Sequence, residues 1–99
     1  MKEIEVTLKG QKTILKVYED RLTDEHQREY MELAMKLNVE NPKELKEAYL
    51  DLPKLRDRMI EVTTDLNMNE IKLIPLVEKE RIADIIFEVL NPLSRFTKG

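Results

Sequence analysis

Residues 3–8, EIEVTL, place Ile4, Val6 and Leu8 on one side and Glu3, Glu5 and Thr7 on the other. Strict alternation is the period-2 signature of a strand with one buried face. The next residues, KGQK, supply Gly10 for a positive φ angle, and TILKVYE is again rich in β-formers. The segment from about 3 to 19 therefore reads as a β-hairpin with a short loop. A two-stranded hairpin is marginal on its own and must lie on something. That requirement constrains the whole chain, because the rest of it follows a helical rhythm.

The first helix is expected over about 24–38. Thr23 or Asp24 can cap its start, Glu25 suits the positive end of the helix dipole, and Tyr30, Leu33, Ala34 and Leu37 recur at i, i+3, i+4, i+7. Met31 and Met35 widen that face and, with Met59, are assigned to the core. Glu32 and Lys36 form an i,i+4 pair on the outside. The clearest start signal follows in NPKEL, where Asn41 caps, Pro42 takes the first helical position and Glu44 completes a capping-box spacing. Leu45, Ala48, Tyr49 and Leu52 form its apolar face. Pro53 then predicts a kink or a new start, giving a bent pair of helices at about 42–51 and 53–66. Along the second of these, Leu55, Met59, Val62 and Leu66 continue the stripe. Asn67 and Asn69 mark a stop or a fresh cap, and residues 70–74 read equally as a helical turn or a short extended segment before Pro75. A last helix spans about 76–90 and is closed by Asn91-Pro92, leaving a tail at 93–99. The expected class is α+β, one domain over residues 1–99 with a hairpin followed by about four helices. A mostly helical domain with a β arm is the variant.

At 99 residues such a domain buries roughly 60–65% of its potential surface, so association with other chains often helps it. Its 20 acidic and 17 basic residues leave a net charge of −3, which argues against a dedicated nucleic-acid binder. The absence of cysteine removes disulfides, thiolate zinc sites and thiol nucleophiles. MKEIEVTLKG lacks the apolar core of a signal peptide, and no apolar run nears the roughly 20 residues a membrane-spanning helix needs. A cytoplasmic protein with no membrane role is the expectation. His26 is the only histidine, and metal sites usually need matched pairs, so it is read as a polar first-turn residue. With two glycines and no serine elbow or HExxH, the chain is not expected to be an enzyme or to carry a metal or cofactor.

The run IADIIFEVLNP, residues 82–92, is apolar over roughly 200° of a helix where a surface helix needs little more than 100°. Ile82, Ile85, Ile86 and Val89 are assigned to the chain's own core. The surplus, Phe87 and Leu90 with Leu93 and Phe96 beyond them, is the candidate partner-binding patch. Glu80, Asp84 and Glu88 form an acidic stripe at i, i+4, i+8 that could receive a basic partner segment. A protein partner and self-association into a homo-oligomer would use the same patch.

Taken together, the length, the β-rich opening MKEIEVTLKGQKTILKVYE, the charged helix LTDEHQREYMELAMKL and the apolar LVEKERIADIIFEVLNP make the chain resemble the small tail assembly chaperones of long-tailed bacteriophages. The resemblance rests on layout and covers most of the chain. It implies a non-enzymatic factor of virion morphogenesis, acting in the host cytoplasm, that binds the helical tape-measure protein and keeps it soluble. The competing expectation is a small phage or bacterial regulator that binds and inhibits a host protein, for which the acidic balance and the Glu80/Asp84/Glu88 stripe would suit mimicry of a nucleic-acid surface.

Overall fold

A hairpin packed on four helices is what the chain forms, in a computed structural model that describes residues 1–92. The fold is α+β, as the patterning predicts. Strands β1 (Lys2–Leu8) and β2 (Gln11–Val17) pair antiparallel with Leu8 opposite Gln11. The connection is therefore the two residues Lys9 and Gly10, both at positive φ (51° and 79°), the geometry whose twist matches paired strands. Gly10 adopts it freely, whereas Lys9 does so against the preference of an L side chain. Val6, Leu15 and Val17 are buried and Ile4 and Leu8 half-buried, all on one face. Glu3, Glu5, Lys12, Ile14 and Lys16 point to solvent from the other.

Helix α1 spans Asp24–Lys36, two residues shorter than its pattern suggested. Thr23 caps it, and its backbone N–H donates to His26 Nδ1 at 3.0 Å. His26 thus fills the third-residue role that Glu or Gln usually plays. Leu33 is buried and Tyr30 and Leu37 half-buried, but Met31 and Met35 are exposed, contrary to their assignment to the core. The reason is position: α1 lies at the margin of the bundle, and one stripe meets its neighbours. Met59 is fully buried, as expected.

Helix α2 is continuous from Pro42 to Thr63, with Pro53 inside it. The expected division at Pro53 does not occur. Proline removes one hydrogen bond, yet the residues buried on either side of it, Ala48 before and Leu55, Met59 and Ile60 after, hold both halves to one core. Tyr49, expected on the buried face, is exposed. The helix stops three residues before the expected 66, because the Thr63 and Thr64 hydroxyls turn back to the carbonyls of Met59 (2.8 Å) and Ile60 (2.7 Å). Thr64 then adopts extended backbone.

Residues 70–72 resolve as helix and 73–74 as a turn: α3 runs Met68–Lys72 under a reciprocal cap in which Asn67 Oδ1 accepts from Glu70 N–H (2.9 Å) and Glu70 Oε1 accepts from Asn67 N–H (3.2 Å). Ile71 and Ile74 point into the core. Helix α4, Leu76–Leu90, matches its predicted bounds and contributes Ile82, Ala83, Ile86 and Leu90 to the same core. Among the described residues no helix is long and apolar enough to cross a membrane.

Two polar clasps seat the hairpin. The Tyr18 N–H donates to the Thr63 carbonyl at 2.6 Å, tying the strand exit to the end of α2. Across the molecule, the Glu78 carboxylate accepts from both the Thr7 N–H and the Thr7 hydroxyl, each at 2.8 Å. In this register the Thr7 N–H points away from β2, so Glu78 covers a donor on the open edge of β1.

Candidate interaction surface

The broad apolar arc of α4 is divided between two neighbours. Ile82, Ala83 and Ile86 are buried in the common core, while Ile85 and Val89 are half-buried. Leu90 belongs with the core and not with the surplus: it is 2% exposed, and Gln27 Nε2 on α1 donates to its carbonyl at 3.1 Å. Phe87 stays half-buried, its ring centroid 5.3 Å from that of Tyr30 with the planes tilted by 30°. Leu93 and Phe96 lie outside the described residues. Of the four residues expected to form the patch, Phe87 is therefore the one that the described residues leave partly exposed.

Around Phe87 the structure adds residues that the sequence pattern had placed simply in a core. Tyr30 and Ala34 from α1, Leu37 just beyond its end, Leu52 from α2 and Phe87 from α4 line a hollow of about 250 Å³, bordered by Glu80. Ala34, Leu37 and Leu52 are half-buried, so the hollow is apolar and open to solvent. A neighbouring cleft of about 310 Å³ between α1 and α2 has the opposite character. It is walled by Glu32, Lys36, Asp51 and Lys54 and crossed by the Glu29–Arg58 ion pair, with Leu33 and Leu55 beneath them.

The acidic stripe is likewise split. Glu80 Oε1 accepts from Arg56 Nη1 at 3.0 Å, although its side chain remains 57% exposed. Asp84 is exposed and makes no ion pair among the described residues, and Glu88 is half-buried. The Arg56 contact is one edge of a charge cluster that sequence reasoning did not identify. Arg56 and Lys79 are each 8% exposed; Arg56 Nε lies 3.0 Å from Asp57 Oδ1, and Lys79 Nζ lies 3.5 Å from the same oxygen. The signal was present as periodicity, since Arg56 continues the line of Leu52, Leu55 and Met59, and Lys79 that of Ile82 and Ile86. A cation on a buried stripe needs a buried or bordering acid, and Asp57 with Glu80 provides it.

Among the described residues the titration of Glu78 is displaced. The Thr7 backbone N–H holds its carboxyl below the ordinary value, against the opposing pull of desolvation, and the Thr7 hydroxyl, Arg81 and Lys12 act in the same direction as the N–H. His26, considered as a ligand or base, has its Nδ1 engaged by the Thr23 N–H and hydroxyl. The described residues contain no grouping of three or more His, Cys, Asp or Glu side chains able to hold a metal ion.

No family model, no curated protein and no solved structure matches the chain.

Proposed function

We propose that the chain is a protein-binding assembly factor that acts as the tail assembly chaperones of long-tailed bacteriophages do, holding amphipathic helices of a tape-measure protein in soluble form. The observation that carries this reading is the open apolar hollow of Tyr30, Ala34, Leu37, Leu52 and Phe87. Helix-in-groove recognition needs such a trough, with charge at its margin to orient the incoming segment. Glu80 at the border and exposed Asp84 one turn beyond supply negative charge, which favours a client helix with lysines flanking its apolar face. The same acids keep the trough from becoming an uninterrupted greasy patch.

Co-expression with fragments of a candidate tape-measure protein tests the reading. With the wild-type chain the fragment moves into the soluble fraction and co-purifies. Phe87→Asp removes that effect while helix content by circular dichroism is retained, and Met35→Asp, at an exposed position away from the hollow, leaves it intact. Fragments that stay insoluble beside the wild-type chain, or that Phe87→Asp still holds, would end this proposal.

A further inference from the structure

The hairpin is a sheet of two strands, so each strand has one edge without a neighbouring strand. The pairing fixes which backbone groups face outward. Because the Thr7 N–H leaves the ladder for Glu78, Glu3, Glu5 and Thr7 on β1 and their partners Lys16, Ile14 and Lys12 on β2 turn N–H and C=O away from each other. The two edges then differ. On β1 the Glu78 carboxylate occupies the Thr7 donor, and just past β2 the Tyr18 N–H is taken by the Thr63 carbonyl. Within β2, the backbone groups of Lys12, Ile14 and Lys16 have no partner among the described residues. Donors and acceptors therefore stand open at strand spacing along this edge.

A hollow lies beside the same edge. On the inner face of β2, Leu15 and Val17 are buried but Gln11 and Thr13 are exposed. Gln11 and Thr13 line a space of about 210 Å³ together with Leu8 and Lys9, Glu70 of α3 and Leu73 just after it. Leu8 is half-buried and Leu73 is 64% exposed, so the space offers aliphatic surface, and Lys9 and Glu70 carry opposite charges beside it. A strand laid along β2 turns every second side chain toward this side. An open backbone edge next to a pocket for alternate side chains is the equipment of β-strand addition.

We propose that the free edge of β2 binds an extended segment of another protein as a third, antiparallel strand. An apolar residue opposite Thr13 enters the hollow against Leu8 and Leu73, and acidic residues stand opposite Lys12 and Lys16. On the outer face of β2, Lys12, Ile14 and Lys16 are all exposed, Ile14 to 56%. The lysines already have acids on their other side: Lys12 Nζ lies 3.5 Å from Glu5 Oε1, and Glu3 is paired opposite Lys16. Those acids belong to β1, about 10 Å from an added strand, whereas the lysines are about 5 Å away and set its preference. A second copy is the poorer occupant. Pairing β2 with β2 about Ile14 sets the Lys12 of each copy against the Lys16 of the other, and β1 of another copy has its Thr7 donor occupied. Lysines on an edge guard it against self-addition and still admit an acidic strand. The site shares no lining residue with the hollow beside Phe87, and it does not rest on the chaperone reading.

Hydrogen exchange, followed by nuclear magnetic resonance on the labelled full chain, is the test. The probe is a capped synthetic peptide of glutamate, threonine, valine, leucine and glutamate in that order, flanked by threonines. Its acids fall opposite Lys16 and Lys12 and its leucine opposite Thr13. In the chain alone the Lys12, Ile14 and Lys16 amides exchange quickly, and those of Thr13 and Leu15, which bond to β1, exchange slowly. Saturating peptide slows the first three by about tenfold or more. Lysines in place of its glutamates weaken binding about tenfold, and Leu73→Asp in the chain weakens it several-fold. Ile14→Pro removes a donor that the hairpin does not use, so it abolishes binding with circular dichroism unchanged. N-methylation of the peptide's valine, whose amide faces β2, abolishes binding to the unaltered chain. No binding at about 1 mM peptide, or binding that leaves the three amides unprotected or survives the N-methyl group, would overturn the proposal. So would protection of those amides that rises with concentration in the chain alone, which would give the edge to a second copy.

Discussion

Helix α4 has two flanks, and they are closed in opposite ways. Toward α2 the seam is sealed by charge: Arg56 and Lys79 converge on Asp57, and Arg56 reaches on to Glu80. Toward α1 the seam is apolar and half open, with Phe87 leaning on Tyr30 beside a hollow that no side chain of the described residues fills. Apolar contact is tolerant of sliding, whereas an ion cluster with a nearly buried arginine and lysine is satisfied in one register. The polar seam adds one register of ion pairs to the buried contacts of α4, whereas the apolar seam leaves the hollow beside Phe87 partly open.

Breaking the polar seam has the larger effect on stability. Asp57→Asn leaves Arg56 and Lys79 nearly buried with one partly exposed acid between them, and is expected to cost about 3 kcal/mol in urea unfolding. Glu80→Gln removes a partner that is 57% exposed, and is expected to cost at most about 1 kcal/mol. Equal costs for the two would mean that the cluster does not depend on its less exposed acid, Asp57.

A smaller, pH-dependent effect belongs to the hairpin clasp. The folded pKa of Glu78 is depressed, so its contribution is fully present above the unfolded carboxylate value of about 4.3 and is lost as pH falls through the folded value. The difference in urea midpoint between wild type and Glu78→Gln should therefore be constant from neutral pH down to that region and shrink below it. A difference that grows on acidification would contradict the clasp. The smallest change runs the other way. Lys9→Asn places a residue tolerant of positive φ before Gly10, and should raise stability by about 0.5–1 kcal/mol in the same assay.

What could be read from the residues follows the range of the interactions. The hairpin, the Asn41 cap and the bounds of α4 rest on neighbours in sequence, and each was legible. The passage of α2 through Pro53 was not, because what holds its two halves in line is burial against other elements rather than local preference. Met31 and Met35 are apolar at helical spacing, yet only the position of α1 at the edge of the bundle leaves them exposed. In the candidate surface, Phe87 could be singled out by pattern, but Leu90 could not be separated from it. Gln27, which joins α1 to the Leu90 carbonyl, is 63 residues away. The Thr7–Glu78 clasp spans 71 residues, and an alternating strand gives no hint of which acid will cap its edge.

The central claim is that the α1–α4 hollow, and not the charged cleft beside it, receives a partner helix. Nuclear magnetic resonance of the labelled chain, titrated with a lysine-flanked amphipathic peptide taken from a client fragment that it solubilises, tests this directly. The account predicts that the largest shift changes fall at Tyr30, Ala34, Leu37, Leu52 and Phe87. Changes centred on Glu32, Lys36, Asp51 and Lys54, with the Phe87 ring undisturbed, would contradict it.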